Sequence, residues 1–414
     1  RGLGMCIRDR AFTGRSVWNS GKVYSSQSQL VSTKGADIRP DNSFNYSWRV
    51  RVWDETDTPS EWSSEAKFRA VPERLSSGQW IGAITRQNAH LPEGRKFHGG
   101  ELKKPEVKAA WEAVDTLAKK SICLRRTFQV GDATEGAANR KPGKKIVEAT
   151  AYVCGLGFYE FSLNGKKVGN SEFTPLWSDY DKTVYYNTYD VTEQLRRGEN
   201  VVGILLGNGF YNVQGGRYRK LQISFGPPTL LFELVINYED GTCTTVHSDN
   251  DWKYDFSPVT FNCIYGGEDY DARREQKGWN QIGFDDSHWR PVVIQEAPKG
   301  ILRPQMAAPV KIMERYDIQK VTKLNAEQIA SASISTKRTV DPSAFVLDMG
   351  QNLAGFPEIT VRGKRGQKVT LIVAEALTEE GACNQRQTGR QHYYEYTLKG
   401  EGDETCLLYT SPSP

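Results

Sequence analysis

Histidine is scarce in this 414-residue chain, with 5 in all, and the 7 cysteines form no C-x-x-C pair. Neither a His-rich metal site nor a Cys/His nucleophile pair stands out, and scattered cysteines of this kind favour mostly free thiols over a disulfide framework. Long apolar runs are missing too: nothing approaches the roughly 18 residues needed to span a bilayer. Charge of one sign is lacking, since 54 basic and 50 acidic residues leave a net +4. Without a Lys/Arg stripe interleaved with aromatics, the electrostatic footprint of a nucleic-acid binder is absent. No repeat at 20–50 residues suggests a solenoid or propeller.

The chain is rich in aromatics and glycine: 10 Trp, 19 Tyr, 16 Phe and 38 Gly. That composition suits short strands joined by tight turns. In "GLGFYEFSLNGKKVG" (155–169), Tyr159, Phe161 and Leu163 share one face, and Asn164-Gly165 turns the chain back. Both central residues of a type I′ turn need positive φ, which Asn and Gly accept at low cost. In "FNYSWRVRVWD" (44–54), Phe44, Tyr46, Trp48, Val50 and Val52 alternate with Asn45, Ser47, Arg49 and Arg51. This predicts a half-buried strand with a basic solvent face. A helix is predicted over about 106–119, where Val107, Ala110, Trp111, Val114, Leu117 and Ala118 recur at helical spacing after Pro105. From 146 to about 310 strands follow one another without crossover helices, which predicts an antiparallel sandwich or jelly roll.

The ends, "RGLGMCIRDR" and "CLLYTSPSP", do not continue the neighbouring patterns. Both read as translated adapter tails and are set aside from fold reasoning, so Cys6 and Cys406 are expected to carry no information. The natural protein is then expected to extend beyond both ends, leaving its compartment unread.

Two carboxylates flanking the scissile bond are what most glycosidases need. Candidates are Glu268, Asp269 and Asp271 beside Arg273 and Arg274 in "GGEDYDARRE", and Asp285 and Asp286 in "GFDDSHW". The plainer reading is an acidic loop with local Arg pairing. Asp269-Tyr270-Asp271 matches half a calcium loop, but the remaining spacing is missing, so no metal is expected. Trp177 and Tyr180 in "PLWSDYD" could stack on a sugar ring, or belong to the core. "GILLGNGFY" lacks the spacing of a phosphate cradle, and no G-x-S-x-G elbow occurs. The residues alone describe a multi-sandwich scaffold with no visible catalytic constellation and no cofactor.

Taken in order, "SVWNSGKV", "YSWRVRVWDETDTPSEWS", "GQWIGA", the long block within 151–192, "GENVVGILLGNGFY", "GGEDYDAR", "FVLDMGQNLAGF", "AEALTEEG" and "YTLKGEGDE" resemble the amino-terminal half of the bacterial α-L-rhamnosidases over most of 15–405. The resemblance implies an all-β fold of tandem antiparallel β-sandwich and jelly-roll domains with one short helical insertion. It implies a truncated fibronectin type III or immunoglobulin-like domain at 11–74, the N-terminal jelly roll at 75–308 and a truncated concanavalin-like sandwich at 309–405, with 1–10 and 406–414 outside. It also implies inverting removal of terminal α-L-rhamnose from glycosides or polysaccharides. The acid and base of that reaction belong to a helical barrel not in this sequence, so no catalytic carboxylate can be carried onto a position here. Trp177, Glu268, Asp269 and Asp271 remain as substrate-binding candidates. The loop after "GQWIGA" and the helix over 106–119 depart from the family's plain pattern, and no room is seen for a calcium-dependent rhamnose-binding module. The rival reading is a carbohydrate-binding module without hydrolytic activity. A β-sandwich cut mid-sheet exposes an unpaired edge, so a chain ending at 405 is expected to aggregate more than one ending near 310.

Overall fold

The computed structural model describes residues 2–9, 16–25, 45–70, 78–93, 96–131, 145–217, 221–332, 343–386 and 392–408, with single positions between 27 and 75. Strands dominate, and among the described residues the named strands pair antiparallel except at two places taken up below. Among these residues no helix is long and apolar enough to cross a membrane.

The first sheet runs Ser16–Asn19, Gly2–Asp9, Asn45–Trp53, Ala66–Arg69. Gly2–Asp9, set aside from the sequence reading as adapter, pairs with Asn45–Trp53 along its whole length. Its apolar residues Leu3, Met5 and Ile7 recur in steps of two, the period a strand uses. Tyr46 is buried and stacks on Phe68, ring centroids 5.2 Å apart. The expected basic solvent face is less simple. The Arg49 and Arg51 guanidinium groups lie 4.7 and 4.6 Å from the Trp62 ring centroid, and both arginines are half-buried, whereas Val52 is exposed. The segment carrying Trp62 sits against the strand because Ser60 and Ser63 accept from the Val52 and Val50 amides through their hydroxyls, both at 3.1 Å. Their own amides donate back to the Val52 and Val50 carbonyls at 2.8 Å. An arginine stem is apolar and its planar head stacks on an indole, so the face closes over instead of opening to water.

Two sheets form the jelly roll. One orders Lys166–Lys167, Tyr159–Leu163, Gly198–Leu206, Ile122–Val130, Lys253–Phe256 and Arg290–Pro291. The other orders Val293–Ile294, Ile81–Gly82, Thr229–Tyr238, Ile146–Leu156, Thr183–Asp190 and Ile301–Pro304, the last two parallel. Leu124, Phe161, Ile204, Val153, Phe232, Leu234 and Trp252 pack between the sheets. The central strand Ile146–Leu156 is buried on both faces from Glu148 on. Its outward residues Tyr152, Cys154 and Leu156 join a second cluster with Tyr186 and Leu231. A strand covered on both sides reads as a near-continuous apolar run, as "ATAYVCGL" does.

The hairpin at 159–167 turns at Asn164 and Gly165, with φ of 52° and 81° as the type I′ reading requires. Tyr159, Phe161 and Leu163 are all in the core. Asn164 accepts from the Val201 amide at 2.9 Å and donates to Asn200 at 2.9 Å. The hairpin therefore holds the sandwich together.

The predicted helix is shorter than expected. It runs Pro105–Glu112, and a separate 3₁₀ turn covers Thr116–Lys119. The break falls where the Asp115 carboxylate accepts from the Leu117 amide at 2.7 Å, starting a new turn instead of continuing the old one. Val107, Trp111, Val114 and Ala118 still share one cluster with Phe97 and Ala89, so the apolar spacing reported burial correctly and continuity incorrectly.

Past residue 308 the chain pairs with strands that precede it. A four-stranded sheet orders Val259–Cys263, Gly267–Asp271, Tyr393–Thr397 and Lys368–Ile372, with Gly267–Asp271 parallel to Tyr393–Thr397. Strands from both sides of residue 308 thus share one ladder. Small ribbons complete the block: 320–323 with 345–348, 358–362 with 403–407, and 376–377 with 383–384. Cys406, expected to carry no information, packs with Tyr394, Tyr396, Leu398 and Leu408, and burial pushes its thiol up to about 12.

Candidate functional site

The carboxylates of "GGEDYDARRE" lie on the strand Gly267–Asp271, where side chains alternate. Asp269 accepts an ion-paired hydrogen bond from Arg217. That guanidinium also donates to the Tyr393 carbonyl at 3.0 Å and sits 3.6 Å from the Tyr393 ring centroid and 4.3 Å from that of Phe261. Asp271 accepts from Arg273 through both oxygens, 2.8 Å each, with Arg274 at 3.4 Å, and also caps the following turn. The Arg273 hydrogen bonds hold its carboxyl below the usual range against the opposing effect of burial. Glu268 points the other way and is buried. A Cβ at Gly267 would collide with the Tyr393 carbonyl, so the strand's start needs glycine for close approach as well as for its φ of 91°.

Asp286 lies elsewhere, between Arg125, whose side chain is 2% exposed, and Lys253 at 2.7 Å. Burial works to raise its pKa, but the Lys253 and Arg125 bonds outweigh it and the net shift is downward. Asp285 is lowered by the Ser287 amide, which donates to it at 2.9 Å. It faces an open depression of about 700 Å³ shared with Gln276, Lys277, Phe284 and His288. Asp269, Asp271 and Asp286 each already hold a cationic partner, the arrangement of a structural carboxylate more than of an acid poised to give up a proton. Among the described residues no group of three or more His, Cys, Asp or Glu could hold a metal ion.

The two aromatics of "PLWSDYD" part company. Tyr180 is buried, edge-on to Tyr211 at 5.1 Å. Trp177 is 62% exposed, with its inner face stacked on Phe210 at 5.1 Å and 21°. Phe210 meets Phe158 at 5.8 Å, Phe158 meets Phe173 at 5.6 Å, and Phe173 meets Phe356 at 5.3 Å. An aromatic file therefore runs from the exposed indole to a residue beyond 308.

Sequence reasoning missed Arg217 and the role of "GNG" at 207–209. Asn208 donates to Asn262 and to the Lys119 carbonyl, at 3.0 and 2.9 Å, and accepts from Asn212 at 2.8 Å. Asn212 donates on to the Ala118 carbonyl at 3.0 Å, and Asn262 to Ser121 at 2.6 Å. The motif is a buried amide network that closes the loops over the sandwich, and asparagine clustered with glycine after an apolar strand was its available signal.

Three family models match in chain order: "Rha78A-like, N-terminal immunoglobulin domain" over 7–71, "Alpha-L-rhamnosidase N-terminal domain" over 144–314, and "Bacterial alpha-L-rhamnosidase concanavalin-like domain" over 338–412. An α-L-rhamnosidase of Formosa agariphila is 33% identical over 95% of this chain, and one of Streptomyces avermitilis 35% identical over 72%. The chain matches the amino-terminal portion of bacterial α-L-rhamnosidases. The solved α-L-rhamnosidase of Dictyoglomus thermophilum superposes on 99% of the chain with a TM-score of 0.74 at 27% identity, covering 42% of that structure. The chain spans 39% and 27% of the length of the two curated relatives. The match to the amino-terminal portion of α-L-rhamnosidases agrees with the all-β organisation and with the order of the blocks.

Proposed function

We propose that this chain is a non-catalytic β scaffold of an inverting glycosidase whose whole protein removes terminal α-L-rhamnose from glycosides or polysaccharides. The observation that carries the reading is the match to α-L-rhamnosidases along 95% of the chain but only 39% of the relative. The pairing of Asp269 with Arg217, Asp271 with Arg273 and Asp286 with Arg125 supports it, because carboxylates so engaged are poor candidates for an acid and base 5–10 Å apart. The test is hydrolysis of p-nitrophenyl α-L-rhamnopyranoside by this chain and by the product of the uninterrupted gene. Activity in the longer product alone supports the proposal. Activity in this chain overturns the scaffold reading and directs attention to Asp269, Asp271 and Asp286.

A carbohydrate-binding role is the second reading, favoured by the exposed Trp177 ring on its Phe210 support. Retention of the chain on a rhamnose-containing polysaccharide in affinity electrophoresis, lost in Trp177→Ala, would establish it. Free migration of both would remove it.

A further inference from the structure

Exposed apolar side chains are not scattered over this molecule. Eighteen large ones are exposed among the described residues, and ten of them fall between 301 and 347: Ile301, Met306, Val310, Ile312, Met313, Tyr316, Ile318, Val321, Phe345 and Leu347. A concentration of this kind marks an interaction surface, where isolated exposed residues would need no explanation.

The backbone fixes where they lie. The Gln305 amide donates to the Tyr186 carbonyl at the edge of the jelly roll, and the Glu172 amide donates to the Val310 carbonyl. The next anchor is Gln319, whose amide donates to the Asp348 carbonyl. Between them every residue from 311 to 318 is exposed, and among the described residues this stretch makes no backbone–backbone hydrogen bond. Met306 is 87% and Met313 84% exposed. The segment then enters the ribbon of Lys320–Lys323 and Phe345–Asp348, where Val321 stands opposite Leu347, with Phe345 two residues away on the same face. The opposite face is different: Val346 is buried with Leu324 and Ala382. One side of the ribbon is packed and the other is bare.

We infer that this strip, from Met306 through Ile318 to the Val321–Leu347–Phe345 face, is the seat for the part of the longer rhamnosidase that lies outside the present match. The inference rests on the scaffold reading above. Its occupant follows from two observations. More than half of each curated relative's length lies outside the aligned region, since the chain covers 27–39% of them. The strip also offers open backbone donors and acceptors beside apolar side chains, the combination met by an added strand or by a large packed layer, not by a small ligand. A second copy of this chain is the competing occupant, and it would have to give up the same strip that the rest of the enzyme needs.

The experiment is methionine oxidation by dilute hydrogen peroxide, read by peptide mass mapping, on the 414-residue chain and on the product of the uninterrupted gene. Met306 and Met313 are expected to oxidise about ten-fold more slowly in the longer product, because a covered thioether is shielded from peroxide. Equal rates in a longer product that hydrolyses the rhamnoside overturn the inference and leave the scaffold reading intact. Protection in a longer product without rhamnosidase activity keeps the interface and removes the reading. Protection already in the 414-residue chain, together with a dimer mass, assigns the strip to a second copy and overturns the inference. As a second measurement, Ile318→Lys is expected to lower the melting temperature of the longer product while leaving that of the 414-residue chain unchanged. A fall in both, or in neither, counts against the interface.

Discussion

Arg217 and Tyr393, 176 residues apart, are joined twice: the guanidinium donates to the tyrosine carbonyl at 3.0 Å and lies 3.6 Å from its ring centroid. The same guanidinium pairs with Asp269, so one side chain ties the strand Gly267–Asp271 to the strand Tyr393–Thr397 beside it. Arg217→Lys keeps the charge but loses the planar fork and the stack. It is expected to cost about 2 kcal/mol, and Arg217→Met about 3 kcal/mol because Asp269 is left half-buried without its partner. Urea unfolding followed by tryptophan fluorescence checks both. Indistinguishable midpoints for Lys and Arg would show that charge alone matters at this seam.

A second ion pair contributes to the acid limb of stability. Asp286 titrates below its ordinary range in the folded chain, so its contribution is fully present above the unfolded carboxylate pKa, near pH 4, and is lost as pH falls through the folded value. Asp286→Asn is expected to flatten the fall in stability below about pH 4. It should also lower neutral stability by about 3 kcal/mol, since Arg125 is then buried without a counter-charge. Denaturant midpoints measured from pH 3 to 7 test the sign. An unchanged acid limb would show that Asp271 or another carboxylate dominates.

Local pattern was legible where one rule acted alone. The Asn164-Gly165 hairpin followed from turn chemistry and the succession of strands after residue 146 from composition and spacing, whereas the burial of Ile146–Leu156 on both faces emerged only from the packing. What failed to show were pairings between distant segments. Nothing in "GEDYD" says that its neighbour is "YYEYT" more than a hundred residues on, in parallel register. For the same reason Arg217 was invisible: a lone arginine in a loop acquires meaning only from Asp269, Phe261 and Tyr393 converging on it. The carboxylates were visible as chemistry, but their partners decide their role. Periodicity found the buried face of 106–119 while Asp115, a two-residue effect, broke the helix.

Asn208 is the hub of a buried amide network, so its loss should be felt well beyond one contact. Asn208→Ala takes one hydrogen bond each from Asn262, Asn212 and the Lys119 carbonyl, while Asn262 keeps the residue-208 amide and Ser121, and Asn212 keeps the Ala118 carbonyl. The expected cost is about 3 kcal/mol, more than the typical 1 kcal/mol of a single exposed hydrogen bond, because the three bonds are lost together from a buried network. Thermal unfolding by circular dichroism reads it. A loss under about 1 kcal/mol would mean that water enters and replaces the amide.

The shared ladder reverses the expectation about where the chain can be cut. Ending at 405 removes the last residues of Asp403–Leu407 and the buried Leu408, but leaves the four-stranded sheet whole. Ending near 310 removes Tyr393–Thr397 and Lys368–Ile372, so Gly267–Asp271 becomes an open edge with Tyr270 stripped of its stacking partner Tyr396. Arg217 loses the Tyr393 carbonyl and ring in the same step. An edge strand with freshly uncovered aromatics is a template for intermolecular pairing. The shorter chain is therefore expected to aggregate more, as measured by sedimentation velocity at matched concentration. A monodisperse 310-residue chain beside an aggregating 405-residue one would show that the bare strip after Met306, and not the opened ladder, controls solubility.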